Sequence, residues 1–191
     1  MKINFTNEEL AKCRTFAEAA AKGQGDFQGL FFHKLAECAI IKLLAPLGVV
    51  ITQDWEVYPH RPHDDCSLVV NGWRFGVKGT KNAGDGIVIR AEEAAAQAAA
   101  NLMCHFQILV RLGWRFGNVD GTAQVMGYMP MTWVWPKKGP QALAIKKGRP
   151  LPNSMKPAPA NCYFIGENQL KTDWKALLGN CLADRPQPPG S

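Results

Sequence analysis

A short β-hairpin is the feature that most constrains how this sequence can fold. Two β-rich runs, residues 66–70 and 73–78, are separated by the dipeptide Asn71-Gly72. Asn-Gly suits a type I′ turn, in which both central residues have positive φ and the twist matches that of the flanking strands. The sequence therefore predicts two neighbouring antiparallel strands with a fixed register.

Hydrophobic periodicity predicts helices on both sides of this hairpin. Thr6 and Glu9 have the spacing of a capping box, and good helix formers follow up to a Gly-Gln-Gly break at residues 23–25. Asp26 is the expected N-cap of a second helix. Further helices are predicted at residues 91–105 and 167–179, and further strands at 49–58, 85–90, 106–112, 122–129, 132–136 and 161–166.

This order of elements predicts an α/β protein, an α+β sandwich in which helices flank a mixed β-sheet. The chain of 191 residues is expected to form a single domain over residues 1–180, followed by a disordered tail over residues 181–191. It has no apolar run long enough to span a bilayer and no signal-peptide core near its start. A cytoplasmic protein without a membrane partner is therefore expected.

The six cysteines include no CxxC pair, so reduced, mostly buried thiols are expected rather than a disulfide framework or a structural zinc site. The formal net charge of +6 permits a polyanionic partner but does not require one.

Glu37 is the unusual residue of the second helix. Residues spaced three and four apart form an apolar stripe that should face the sheet, and Glu37 falls within it. A carboxylate in such a place is costly unless it is paired, hydrogen-bonded or bound to a metal. The alternatives are that Glu37 faces solvent or pairs with Lys34 or Lys42. His33, one turn earlier, is interpreted as a core histidine in preference to a partner of Glu37.

The hairpin combines acids with a lysine. Asp64 and Asp65 precede the first strand, while Gly76 and Lys78 share one face of the second. Carboxylates beside a lysine suit metal-assisted phosphodiester hydrolysis, because the acids hold a hard cation and the lysine offsets phosphate charge. The alternative is an ordinary acidic turn with a surface lysine.

A helix reading GLFFHKLAECAIIKLL, followed by a strand and then DDCSLVVNGWRFGVKGTK, resembles the PD-(D/E)xK nuclease superfamily. The resemblance covers roughly residues 26–112, with weaker support at 160–178. It implies a restriction-endonuclease-like fold, a Mg²⁺ or Mn²⁺ cofactor, and catalytic roles for Glu37, Asp65 and Lys78.

Gly76 departs from the family pattern, which has an acid two residues before the lysine. Three interpretations remain open. The acid has migrated to the next helix, where Glu92 follows Lys78 by fourteen positions and Glu93 comes next. Alternatively, Asp64, Asp65 and Glu37 suffice to bind a single metal ion, or catalysis is lost and the fold survives as a binding module. Glu92 is the preferred replacement.

The expected function is thus metal-dependent endonucleolytic cleavage of DNA, with Asp65, Glu92 and Glu37 as metal ligands. The alternative is a catalytically inactive module of the same fold that binds DNA or protein. A homodimer is left open. The residues expected to contact nucleic acid are Lys81, Gln97, Lys137, Lys138, Lys146, Lys147 and Arg149.

Overall fold

The computed structural model describes residues 2–24, 26–49, 51, 53–57, 68–98, 104–135, 142–152 and 156–183. The helices in these ranges are α1 (Asn7–Gln24), α2 (Phe27–Leu44), α3 (Ala91–Ala98) and α4 (Trp174–Ala183). The strands are β1 (Lys2–Asn4), β2 (Leu68–Val70), β3 (Trp73–Thr80), β4 (Gly86–Arg90), β5 (Phe106–Arg115), β6 (Asn118–Pro130), β7 (Leu143–Ile145) and β8 (Cys162–Gly166). Within the described ranges, no helix is both long enough and apolar enough to cross a membrane.

The strands form two sheets. A mixed five-stranded sheet has the order β1-β6-β5-β3-β2, in which β3 and β5 are parallel and the other neighbours antiparallel. An antiparallel sheet has the order β4-β8-β7. Apolar residues of α1 and α2 form one core with one face of the larger sheet, while β4, β8 and α3 form a second core with its other face. The predicted α+β sandwich with a mixed sheet is confirmed.

The hairpin that fixes the register of β2 and β3 forms as predicted. Asn71 and Gly72 have φ values of 48° and 83°, both in the left-handed region that a type I′ turn requires. Leu68 consequently pairs with Phe75. Beyond Phe75, β3 continues along β5 to Thr80.

Side chains cap the first two helices at the predicted positions. The Thr6 amide donates to Glu9 Oε2 at 2.7 Å, and the Glu9 amide donates to Thr6 Oγ1 at 3.2 Å. Asp26 Oδ1 accepts from the Gly29 amide at 2.9 Å. These bonds satisfy amides that have no partner within the helix.

Two predicted strands are wrong. Residues 51 and 53–57 are irregular, because side chains of α2 bind this segment. Lys34 Nζ donates to the Asp54 backbone carbonyl, and the side-chain amide of Gln53 donates to the Glu37 carboxylate. Residues 131–134 form a 3₁₀ turn. The short strands β1 and β7 were not predicted. The predicted final helix begins later than expected, as α4, after a separate 3₁₀ turn at residues 167–169.

Gly79 sets the distance between β3 and α2. A Cβ atom at this position would lie 2.5 Å from the backbone oxygen of Phe32, and backbone cannot swing aside as a flexible side chain can. We expect Gly79→Ala to lower the free energy of unfolding by about 1–3 kcal/mol, measured by urea denaturation.

The control for this variant is Gly179→Ala in α4, where no atom other than those of the adjacent residues and of the helix's own backbone lies within 4 Å of the added Cβ. This change should raise the free energy of unfolding by about 0.5–1 kcal/mol, because alanine is the better helix former. Equal stability of the two variants would contradict the close approach at Gly79.

Candidate functional site

A cavity of about 280 Å³ lies beside β3 and is bordered by α2, β4, α3 and β5. Its polar side chains are His33 of α2, Lys78 of β3, Glu93 of α3 and Gln107 of β5; the other lining residues are glycine or aliphatic. The cavity therefore gathers a histidine, a lysine, a carboxylate and an amide from four separate elements.

Lys78 lines this cavity together with its neighbours on β3, Val77 and Gly79. Gly76 and Lys78 lie on the face opposite to Val77, and Gly76 is in register with Gln107 of β5. Lys78 is half-buried, and its positive charge interacts electrostatically with the thiol of Cys162. Burial raises the pKa of Cys162, and the Lys78 ammonium partly opposes that rise. Gln107 is almost fully buried and was not predicted as a site residue.

The first turn of α3 places Glu93, rather than Glu92, at the cavity. Glu93 is half-buried and lines the cavity, whereas Glu92 is exposed and does not line it. Successive residues of an α-helix point about 100° apart, so neighbouring glutamates cannot share one direction. The structure is therefore compatible with an acid supplied by this helix, but that acid is Glu93. Glu92, the predicted residue, does not line the cavity that Lys78 lines.

Glu37 is buried in the protein interior, with 1% of its surface exposed. Its Oε1 lies 2.9 Å from His33 Nε2, and its Oε2 accepts hydrogen bonds from Lys34 Nζ at 2.9 Å and Gln53 Nε2 at 2.8 Å. The pairing with Lys34, left open by the sequence, therefore exists. Glu37 does not line the cavity, so the expectation that it faces a metal there is not supported by its position.

The charge state of Glu37 follows from these contacts. Burial raises its pKa, but the hydrogen bond and charge of His33, together with the charge and hydrogen bond of Lys34, outweigh burial and hold the pKa below its ordinary value. Glu37 is consequently a carboxylate that fixes the orientation of His33.

His33 connects this buried pair to the cavity. Its side chain is 23% exposed and lines the cavity, and it lies one helical turn from Glu37, at i and i+4 on α2. The expectation of a simple core histidine is wrong. The i, i+4 spacing of His33 and Glu37 was the signal in the sequence that pointed to their contact.

The predicted nucleic-acid contacts are distributed over the surface. Lys81 is exposed, and its Nζ lies 4.3 Å from the ring centroid of Trp114. Lys146, Lys147 and Arg149 are exposed in and beside the turn after β7. The predictions for Asp65, Lys137 and Lys138 fall outside the described residues, as does the side chain of Gln97.

The oxygen donors of the cavity suit a hard divalent cation, but they form an incomplete set. Among the described residues, no three His, Cys, Asp or Glu side chains converge on one metal position. Mg²⁺ is often held by one or two carboxylates together with water and substrate phosphates. Glu93 is one such carboxylate, and Asp65 is the predicted second, so the described residues fit part of a Mg²⁺ or Mn²⁺ site.

Comparison of the chain with protein-family models, with curated proteins and with solved structures gives no match. The resemblance to the PD-(D/E)xK superfamily therefore stays a prediction. The functional argument depends on the residues that line the cavity.

Proposed function

We propose that this protein is a metal-dependent nuclease that hydrolyses phosphodiester bonds in DNA, and that the cavity beside β3 is its active centre. One observation carries the proposal: Lys78, Glu93 and His33, which come from three separate elements, line one cavity, and Glu37 holds His33 from behind it. A lysine, a carboxylate and an oriented imidazole can supply charge compensation, metal binding and proton transfer in the hydrolysis of a phosphodiester by water.

Each of these residues has a distinct role in the proposed reaction. The Lys78 ammonium offsets negative charge on the scissile phosphate and orients the attacking water. The Glu93 carboxylate, with Asp65, would hold Mg²⁺ or Mn²⁺. The bound ion would supply a more acidic water and further charge compensation.

The His33 imidazole lines the cavity and has the role of proton-transfer group in the proposed reaction, and Glu37 holds it in place at Nε2. Glu37 is thus a positioning residue, since it reaches the cavity only through His33. Gln107 lines the cavity and can hydrogen-bond to a phosphate or a water there.

The exposed cations supply a surface for the phosphate backbone of DNA. Lys81, Lys146, Lys147 and Arg149 are proposed to contact phosphates, as are Lys137, Lys138 and Gln97. The protein has a formal net charge of +6. Its binding to DNA should weaken as the salt concentration rises, because contacts with phosphates release counterions from the DNA.

A binding module without activity is the alternative. The exposure of Glu92 and the incomplete set of metal ligands in the described part of the chain favour it. Such a module would retain salt-dependent DNA binding and would cleave no substrate with any metal.

The test uses two adjacent glutamates that undergo the same change of charge. Supercoiled plasmid should be nicked in Mg²⁺ or Mn²⁺ and not in EDTA. Glu93→Gln should lower the cleavage rate at least about 100-fold, because it removes the carboxylate that lines the cavity. Glu92→Gln should leave the rate within about twofold of the wild type, since exposed substitutions rarely perturb a site.

Equal effects of Glu92→Gln and Glu93→Gln would contradict the assignment of Glu93. Absence of cleavage by the wild-type protein on supercoiled, linear and single-stranded DNA, with either metal, would favour the binding module.

A further inference from the structure

Two thiols meet between α1 and α2. Cys13 Sγ and Cys38 Sγ lie 3.7 Å apart, and the residues are 0% and 7% exposed. None of the five cysteines in the described ranges forms a disulfide. The two sulfur atoms are in van der Waals contact, and formation of a disulfide would bring them from 3.7 Å to about 2.05 Å.

A continuous set of contacts joins this thiol pair to the cavity. Cys38 Sγ lies 3.4 Å from Gln53 Oε1, and Gln53 Nε2 donates to Glu37 Oε2 at 2.8 Å. Glu37 Oε1 in turn holds His33 Nε2 at 2.9 Å, and His33 lines the cavity. The Gln53 side chain therefore contacts the Cys38 thiol at one end and the Glu37 carboxylate of the Glu37–His33 pair at the other.

We propose that Cys13 and Cys38 are a redox modification site. They form a reversible disulfide, and this changes the orientation of the His33 side chain in the cavity. The effect on catalysis rests on the proposed nuclease function; the disulfide and its effect on His33 do not.

The oxidant belongs to the hydroperoxide class. One thiolate attacks a peroxide oxygen, the O–O bond breaks, and a sulfenic acid forms with release of water after protonation. The second thiol then attacks the sulfenic sulfur, the S–O bond breaks, and a second water leaves as the S–S bond forms. Two thiols lose two electrons and two protons in total, and hydrogen peroxide gains them to become two water molecules. A dithiol reductant reverses the change by thiol–disulfide exchange.

Oxidation changes the bonding of Gln53. In the disulfide Cys38 carries no hydrogen, so it no longer donates to Gln53 Oε1, and its sulfur moves towards Cys13. The Gln53 side chain loses the hydrogen bond at its Oε1, so it no longer orients the Glu37 carboxylate as before. The contact between Glu37 and His33 changes as a result. Because partners that orient a site residue typically contribute about 10–100-fold to activity, we expect oxidation to lower cleavage about tenfold.

Thiol counting with hydrogen peroxide tests the modification itself. The reduced protein, denatured after treatment, should show its six thiols, and the oxidised protein four, with full recovery in dithiothreitol. Peptide mapping should find Cys13 linked to Cys38. Cys13→Ala should abolish this linkage, whereas Cys162→Ala, which alters another buried cysteine, should retain it. Six thiols after treatment, or a linkage between other cysteines, would overturn the proposal.

The imidazole resonance of His33, identified by its loss in His33→Gln, tests the connection to the cavity. It should shift on oxidation of the wild type and stay unchanged when Cys13→Ala is treated in the same way. An unmoved His33 resonance in a protein that carries the disulfide would overturn the connection. Failure of the reduced wild type to cleave DNA would instead contradict the nuclease proposal and leave these two readouts intact.

Discussion

Lys78→Ala is expected to reduce metal-dependent DNA cleavage by about 100- to 1,000-fold while the protein remains folded. Lys78 is half-buried at the cavity and lies on the same face of β3 as Gly76. A preorganised cation at a phosphate acts mainly on the charge that develops in the transition state, so its removal should lower the rate constant more than it weakens DNA binding.

The measurement is the single-turnover rate of plasmid nicking in Mn²⁺, with circular dichroism to verify folding. Lys175→Ala, which removes an exposed lysine from α4, is the matched control and should cleave at the wild-type rate. Lys78→Met keeps the apolar part of the side chain and should be as inactive as Lys78→Ala. Cleavage by either Lys78 variant at the wild-type rate would exclude Lys78 from the centre.

Glu37→Ala is expected to lower the free energy of unfolding by about 3–5 kcal/mol, because it removes the carboxylate of a buried ion pair and leaves the Lys34 ammonium without that partner. Lys34 is 4% exposed, and without Glu37 the partners of its ammonium among the described residues would be the Asp54 carbonyl and the aromatic rings of Phe16 and Trp55. Glu18→Ala, an exposed change on α1, should alter stability by less than about 0.5 kcal/mol. Urea denaturation compares the two.

The stabilisation by Glu37 should depend on pH with a definite sign. Because the pKa of Glu37 is lower in the folded protein than its ordinary value of 4.5, the folded state favours the carboxylate. Its contribution is complete above pH 4.5 and is lost as the pH falls through the folded-state pKa. The stability difference between wild type and Glu37→Gln should therefore shrink below pH 4.5. A difference that grows on acidification would contradict the charged, hydrogen-bonded state of Glu37.

Local chemistry made much of the fold predictable. The capping pair Thr6 and Glu9 and the turn at Asn71-Gly72 depend on residues within a few positions of each other, and both form as expected. The alternating residues at 49–58 also predicted a strand from local sequence, but contacts with α2 determine the structure of residues 53–57. Lys34 and Glu37 hold the segment by its backbone and by Gln53, and this tertiary contact overrides strand propensity.

The elements of the candidate site were predictable, but of its polar lining residues only Lys78 was predicted as a site residue. The sequence pointed to α2, β3 and the first turn of α3, and these elements do border the cavity. Which glutamate of α3 faces inward depends on the helix phase where β4 ends, and a spacing rule cannot resolve Glu92 from Glu93. Gln107 lies within an apolar strand sequence, and its position at the cavity follows from the pairing of β5 with β3, which local sequence does not give.

Binding of Mn²⁺, followed by electron paramagnetic resonance with a non-hydrolysable DNA analogue present, tests the central claim most directly. The proposed centre predicts that wild type and Glu92→Gln bind the ion alike, whereas Glu93→Gln binds it at least about tenfold more weakly. Equal Mn²⁺ affinity in all three proteins, or no binding by the wild type, would contradict a metal-dependent centre at this cavity.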